Sequence, residues 1–167
     1  MIIMKKIFAV YNKIEEYLLV GSLVFTTTLI FIQVVMRYVF NSSITWSEEL
    51  ARYIFIWQGW MGTSLGIRMK GHIRIEIITT KLELTGRKIL DVLVATILLA
   101  FSIFLIVSGS DLVLKIASRK ALSSALRIPL HYIFMALPVS SGVTSLRLID
   151  QIFDILKSFK RSKGEVV

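Results

Sequence analysis

The ionisable residues with the best spacing for chemistry lie in one short polar stretch between two apolar runs. Arg37 opens this stretch, and Glu48 and Glu49 come near its end, with Arg52 four positions after Glu48. That order favours an ion pair on one helix face, and the helix dipole stabilises carboxylates in a first turn. The spacing indicates structural ion pairing. We expect the cluster to fix a turn between two helices at the outer surface of a membrane.

A helix start is predicted inside the same stretch. Thr45 stands three residues before Glu48, which is the spacing of a capping box, where a hydroxyl and a carboxylate bond the unpaired amides of a first turn. Trp46 has the amphipathic ring that prefers headgroup depth. We therefore expect the chain to re-enter a membrane here.

No catalytic or metal-binding constellation is evident in the sequence. The chain has no cysteine, which excludes thiol nucleophiles and thiolate metal sites. No nucleophile motif or phosphate loop frames its serines. His72 and His131 could in principle ligate a haem, but the order of apolar segments places them on opposite membrane sides. We predict that the chain is not an enzyme and holds no metal or cofactor.

Four apolar segments are long enough to cross a bilayer or nearly so. The chain is 55% hydrophobic, whereas roughly 45–50% is usual for soluble domains, and about 20 apolar residues span a hydrocarbon core. We predict an all-α integral membrane protein with a single domain over residues 1–167. Short amphipathic interfacial segments accompany its four transmembrane helices, which we place approximately at residues 17–36, 50–67, 92–110 and 128–146.

The basic residues indicate the orientation. The formal net charge is +9, but the basic residues are spread between apolar runs, which favours membrane topology over a nucleic-acid partner. Three basic segments, before the first span, after the second and after the fourth, agree on one cytoplasmic side. We predict that both termini are cytoplasmic and that the basic tail contacts anionic lipid.

One connection breaks this charge rule. The segment from Asp111 to Arg127 lies outside in the predicted topology, yet it carries the basic residues Lys115, Arg119, Lys120 and Arg127. A charge excess on the outer side suggests a docking surface for an acidic soluble protein. Contact with lipid headgroups is an equal alternative.

The predicted spans indicate packing and not transport chemistry. Small residues lie on one side of the second span, at Gly59, Gly62, Thr63 and Gly66, and allow another helix to approach closely. We favour packing within the chain, with contact to another subunit as the alternative. Gln33 either bonds another helix or sits at headgroup depth. Between the ends of the predicted helices no Asp, Glu, Lys or Arg occurs, so no ion pathway is indicated, although a stand-alone channel remains a competing hypothesis.

Several of these residues also form a longer pattern. It reads Gln33-Val34-x-x-Arg37-Tyr38-x-Phe40-Asn41, then Trp46-x-Glu48-Glu49-Leu50-x-Arg52, a later Trp57 and finally Gly71-His72-Ile73. Over nearly its whole length the chain resembles the small membrane subunit of tripartite ATP-independent periplasmic (TRAP) transporters, the DctQ-like family. We assign Arg37, Asn41, Thr45, Trp46, Glu48, Glu49 and Arg52 to a structural motif, and Gln33 and Trp57 to helix packing or a subunit interface.

The resemblance implies a non-catalytic role in the bacterial inner membrane. In TRAP systems a large membrane subunit holds substrate and sodium and moves, and the small subunit enlarges its fixed scaffold. A periplasmic binding protein delivers the solute, an organic acid of carboxylate or sialic acid type. We expect the large subunit to be a separate chain and the sodium and the solute-selecting residues to lie in the partners.

Overall fold

The computed structural model describes residues 2–68 and 84–164, and their regular secondary structure is helical. The helices are α1 (Ile2–Tyr38), α2 (Thr45–Arg68), α3 (Leu84–Ser118), α4 (His131–Phe134) and α5 (Ala136–Gly164). Leu122 and Pro129 form an isolated antiparallel bridge in the connection between α3 and α4. The predicted all-α class is confirmed for this part of the chain.

Within the described residues, three helical segments are long and apolar enough to cross a membrane, judged by length and composition. They are Tyr11–Tyr38, Lys88–Ser118 and His131–Lys157. Helix α2 is not among them, although its 24 residues rise about 36 Å. The structure thus supports a multi-pass membrane protein with three apolar spans, and the second predicted span, 50–67, stays a prediction.

Helix α5 is the centre of the packing. It packs against α3 and α2, and α1 packs against α2 on the far side. The small buried core where α2, α3 and α5 meet contains Ile67, Ala95 and Leu148. Large apolar side chains elsewhere on α1 and α3 are exposed, as expected of helices surrounded by lipid.

Helix α3 is much longer than the predicted third span, 92–110. Asp111 and Lys115, which were predicted to lie in the following connection, belong to its last turns, where Lys115 Nζ lies 2.6 Å from Asp111 Oδ2. This ion pair has the spacing that supports a helix. The connection is therefore 119–130, and the predicted boundary at Asp111 is wrong.

The predicted fourth span, 128–146, starts three residues too early. Pro129 does not open a helix, because it pairs with Leu122 and α4 begins at His131. The interruption between α4 and α5 follows from Pro138, which has no N–H to donate to the carbonyl of Phe134. Helical bonding resumes with Val139 N to Met135 O at 3.1 Å.

A glycine lets α3 approach the start of α5. A Cβ atom at Gly109 would lie 3.0 Å from Leu137 Cδ2 and 3.2 Å from Pro138 Cδ. The proline ring cannot swing aside, so a side chain at this position would push the two helices apart. Gly109 therefore sets the spacing of the most extensive helix contact in the described structure.

The beginning of the chain forms one helix with the first span. Helix α1 runs unbroken from Ile2 to Tyr38, so the amphipathic lead-in predicted before residue 17 is continuous with the transmembrane segment. The basic connection after α2 was predicted to run from Arg68 to Asp91, but residues 84–91 belong to α3. Its remaining residues, 69–83, with His72 among them, lie outside the described residues.

Candidate functional site

The turn between α1 and α2 is compact. It consists of residues 39–44, and Ser42 N donates to Met36 O at 3.0 Å. Asn41 has a φ of 49°, a left-handed conformation that asparagine tolerates better than most residues. On the α2 side, Ser47 Oγ donates to Ile44 O at 2.7 Å. The turn thus returns the chain to α1 within six residues.

Glu48 joins α2 to α1. Its Oε1 accepts from Gln33 Nε2 at 2.7 Å and from Arg37 Nη1 at 3.3 Å. Gln33 is buried, so the helix-bonding alternative for this amide is confirmed. Helix α2 begins at Thr45 as predicted, but the carboxylate does not close a capping box, since it crosses to α1.

The predicted ion pair between Glu48 and Arg52 is wrong. Among the described residues Arg52 is exposed and forms no ion pair, and Glu48 pairs with Arg37 instead. An exposed pair along one helix contributes only about 0.3–0.5 kcal/mol. Two hydrogen bonds from the facing helix, from the buried Gln33 amide and the Arg37 cation, stabilise the Glu48 carboxylate more than that single exposed pair would.

Glu49 binds a distant segment of the chain. Its Oε1 accepts from Ser124 N at 3.0 Å, and its Oε2 accepts from Ala125 N at 2.7 Å and from Leu126 N at 2.9 Å. The hydroxyl of Tyr53, one turn further along α2, also donates to Oε1. Sequence reasoning gave Glu49 only a local helix-dipole role and missed this contact.

The segment that Glu49 binds is a short hairpin, residues 121–130. Ser123 N donates to Ile128 O at 2.9 Å, and Leu130 N donates to Ala121 O at 3.0 Å. Arg127 has a φ of 55° and lies next to the tip. The hairpin itself leaves the tip amides 124–126 unpaired, and backbone donors without a partner are costly. One carboxylate on α2 satisfies all three.

These contacts change the acidity of Glu49. The Tyr53 hydroxyl and the N–H groups of Leu126 and Ala125 lower the pKa of Glu49 from 4.5 to about 2, and this outweighs the opposing effect of burial. A carboxylate with such a pKa stays ionised near neutral pH and is unsuited to proton transfer. Glu49 is an anchor for the 121–130 hairpin.

Gln58 places a second polar contact between α1 and α2, deeper in the helix pair. Its Nε2 donates to Ser22 Oγ at 3.0 Å and approaches Thr26 Oγ1 at 3.5 Å. Sequence reasoning did not single out Gln58. The signal was a lone amide in the middle of the second predicted span, where a polar side chain needs a partner.

The opposite end of the bundle contains a buried charged group, which we call the Arg147 cluster: Asn12, Glu15, Ser64 and Arg147. Arg147 Nη2 lies 2.6 Å from Glu15 Oε2 and 2.7 Å from Asn12 Oδ1, and Nη1 donates to Ser64 Oγ at 2.6 Å. Glu15 is 2% exposed and Arg147 is 8% exposed. The cluster ties α1, α2 and α5 together.

Sequence reasoning also missed the Arg147 cluster. The available signal was positional, because Glu15 stands just before the first predicted span and Arg147 just after the fourth. In the predicted topology these two positions lie on the same membrane side. Opposite charges at matched depth would have suggested the pair.

The small residues of α2 do not pack against any part of the chain that the structure describes. A Cβ atom added at Gly59, Gly62 or Gly66 would meet nothing within 4 Å. Thr63 is exposed and donates to Gly59 O at 3.0 Å. The described residues therefore do not bear out the favoured prediction of packing within the chain, because α1 and α5 contact other faces of α2. The alternative, contact with another subunit, stays a prediction.

The remaining predicted residues lie apart from these contacts. Trp46 is exposed at the start of α2, and Trp57 is half-buried. Arg119, Lys120 and Arg127 are exposed around the 121–130 hairpin and form no ion pair within the described ranges, whereas Lys115 is bound to Asp111.

His131 is not placed in a recognisable ligand set within the described residues. Its ring lies beside that of Tyr132, tilted by 40° with 4.2 Å between centroids, and His72 lies outside the described residues. In residues 2–68 and 84–164 there is no group of three His, Cys, Asp or Glu side chains that could hold a metal ion. The contacts that the structure does show join helices and a loop.

Comparisons with known proteins show that this chain is similar to membrane components of transporters. The family pattern described as "Tripartite ATP-independent periplasmic transporters, DctQ component" matches residues 26–158. The C4-dicarboxylate TRAP transporter small permease protein DctQ of Vibrio cholerae is 32% identical over 98 residues, which are 59% of this chain and 42% of that protein. The sialic acid TRAP transporter small permease protein SiaQ of Vibrio cholerae is 26% identical over 159 residues, covering 92% of this chain and 88% of that protein.

A longer protein shows the same similarity over a smaller share of its length. The sialic acid TRAP transporter permease protein SiaT of Haemophilus influenzae is 31% identical over 144 residues, which are 83% of this chain but 22% of that protein. The chain thus spans less than two thirds of the length of DctQ and SiaT, and most of the length of SiaQ.

We predict that removing Arg147 alone destabilises the fold strongly. Arg147→Met leaves the Glu15 carboxylate buried without its cation, which costs about 3–5 kcal/mol, whereas adding Glu15→Gln should restore much of the loss. Thermal unfolding of the purified chain in detergent measures both. Arg37→Met, which breaks an exposed pair, is the control, with an expected loss of about 1 kcal/mol or less. A double variant no more stable than Arg147→Met would contradict the prediction.

We predict that Glu49 makes stability depend on pH in acid. The pKa of Glu49 in the folded chain, about 2, lies below the ordinary value of 4.5. Its contribution is therefore fully present above pH 4.5 and is lost as the pH falls toward 2. Unfolding temperatures measured across this range should fall less steeply for Glu49→Gln than for the wild type. Identical slopes for Glu49→Gln and wild type would refute the anchor.

Proposed function

Because this chain belongs to the DctQ component family of the tripartite ATP-independent periplasmic transporters, we propose that it is a small permease subunit that scaffolds a larger membrane subunit. The match of the family pattern over residues 26–158 carries the proposal. The family is a transport component and not an enzyme. The chain's membership in this family and its three apolar helices fit a multi-pass inner-membrane protein.

A large partner subunit is the first part of the proposal. In SiaT the region similar to this chain makes up 22% of one permease protein. A region of this kind joined to a much longer permease chain supports a role beside a large subunit. For this protein we propose that the large subunit is a separate chain that holds the solute and the sodium ions.

Four membrane spans are the second part. Helix α2 rises about 36 Å, enough to cross a core of roughly 30 Å. Its polar side chains are bonded to neighbouring elements, Gln58 to α1 and Ser64 to Arg147 of α5, and such bonds lower the cost of placing them in a membrane. Counting α2 brings the number of spans to four. An even number of spans places both termini on one side of the membrane, and the basic segments assign that side to the cytoplasm.

Single cysteines test this topology, since the native chain has none. A cysteine at Ser43 in the α1–α2 turn or at Ser118 at the end of α3 should react with an impermeant thiol reagent in intact cells. A cysteine at Ser162 in α5 should react only after the cells are opened. Labelling of Ser162 in intact cells would reverse the orientation.

The third part concerns transport. We propose sodium-driven uptake of an organic acid delivered by a periplasmic binding protein, with the solute-selecting residues in the partner chains. The 121–130 hairpin is the candidate docking surface for that binding protein. Glu49 holds its tip, while Arg119, Lys120 and Arg127 around it are exposed. A fixed shape with exposed cations fits an acidic partner.

Reconstitution tests the function. Liposomes with this chain, its large subunit and the binding protein should take up the organic acid when a sodium gradient is applied, and omitting this chain should abolish uptake. Solute flux through liposomes that contain this chain alone would show a stand-alone channel. Uptake by the large subunit and binding protein without this chain would refute the scaffold.

The same assay tests docking. Because rim charges act mainly on association, the double variant Arg119→Glu with Lys120→Glu should raise the binding-protein concentration needed for half-maximal uptake and leave the maximal rate unchanged. Lys13→Glu, an exposed cation on α1 far from the hairpin along the bundle, is the control. An unchanged concentration dependence would favour lipid contact as the use of these charges.

A further inference from the structure

Helix α2 has one face that no described part of the chain covers. Gly59, Gly62 and Gly66 recur along it at helical spacing, and a Cβ atom at each would meet nothing within 4 Å. Thr63 lies exposed on the same face. A backbone this accessible permits close approach by another helix. The open stripe alone does not identify what covers it.

A cavity adjoins this stripe. It has a volume of about 140 Å³ and lies between α2 and α3, with α5 as its floor. Thr63 of the stripe lines it on one side and Phe101 of α3 on the other. We call the stripe and the cavity together the α2–α3 groove.

Four hydroxyl groups around this groove have no partner in the described structure. Ser102, Ser140, Ser141 and Thr144 all line the cavity, and each is 5% exposed or less. None of these hydroxyls makes a hydrogen bond to any described residue, whereas nearby Ser145 donates to Ser141 O at 2.9 Å. A buried hydroxyl without a hydrogen bond is costly. Four such groups on one cavity point to an outside partner that can bond them.

We propose that the α2–α3 groove is the seat of one transmembrane helix of the large permease subunit, which places at least one polar side chain toward these hydroxyls. This placement rests on the proposed function. The small residues of α2 let the incoming backbone approach closely, and hydrogen bonds between side chains hold transmembrane helices together. The SiaT relative, in which the corresponding region is part of a longer permease chain, supports such a partner.

The size and chemistry of the groove select a helix over a lipid. A helix is about 10 Å wide, so it lies over the groove and only its side chains enter a cavity of about 140 Å³. A lipid acyl chain would fit the volume but offers no donor or acceptor, so the hydroxyls would stay unbonded. A polar side chain can both fill the cavity and form hydrogen bonds with the hydroxyls.

A bulky residue in the stripe tests the seat. Gly62→Phe should lower the amount of large subunit that co-purifies with this chain by about tenfold or more, because the ring occupies the space of the incoming helix. Gly21→Phe on α1 is the matched control, since Gly21 is equally open, and it should change the yield by less than about twofold. Thermal unfolding of each isolated variant confirms that both are folded.

A second variant tests the hydroxyls. Thr144→Val keeps the shape and removes a buried unbonded hydroxyl, so the isolated chain should be at least as stable as the wild type. The same variant should weaken co-purification, because the partner loses a hydrogen bond. Thr96→Val, on an exposed threonine that bonds Val92 O, should leave the yield unchanged. A loss of stability with no loss of partner would refute the proposed role of Thr144.

A photo-crosslinking residue at position 62 separates the possible failures. Adducts that mass spectrometry assigns to the large subunit support the seat, and position 21 should give lipid adducts only. If the large subunit co-purifies but position 62 gives only lipid adducts, the seat is wrong and the scaffold function stands. If the wild type co-purifies no large subunit, the proposed function fails and the seat fails with it.

Discussion

A bilayer interior offers a polar side chain no water, and this constraint governs the placement of α2. Of the four long helices in the described structure, α2 is the one that is not apolar enough to count as a membrane span by composition, and several of its polar groups are bonded to other elements. Glu48 accepts from α1, Gln58 donates to α1, and Ser64 accepts from Arg147 of α5. Glu49 adds the 121–130 hairpin. Hydrogen bonds from α2 thus connect α1, α5 and the hairpin, so the helix least able to face lipid by itself joins the rest of the described structure.

The two ends of the bundle use charge in different ways. At one end Glu48 and Arg37 form an exposed pair, which adds little stability by itself. At the other end Arg147 and Glu15 are buried, and Arg147 also donates to Asn12 Oδ1 and Ser64 Oγ. A buried pair depends on such additional bonds, because the cost of removing both charges from water is recovered only in good geometry. The Arg147 cluster therefore specifies how α1, α2 and α5 meet.

Local sequence rules predicted the local features well. The start of α2 at Thr45 and the apolar helix before the turn follow from spacing of a few residues. The same local rules failed where a group distant in the sequence competes for the same side chain. Spacing paired Glu48 with Arg52, but Gln33 and Arg37 on the facing helix hold that carboxylate. No pattern of short range could join Glu49 to Leu126, or Glu15 to Arg147, because these pairs are 77 and 132 positions apart in the sequence. The end of α3 was placed too early because a charged pair was taken for the end of the helix.

The length of α3 has a consequence for where the following loop stands relative to the membrane. The part of α3 without a charged side chain, residues 92–110, has 19 residues and rises about 28 Å, close to a hydrocarbon core of roughly 30 Å. The turns that follow, with the exposed ion pair of Asp111 and Lys115, therefore extend beyond the hydrocarbon, by about 12 Å at Ser118. Helix α3 thus acts as a spacer that holds the 121–130 hairpin outside the hydrocarbon.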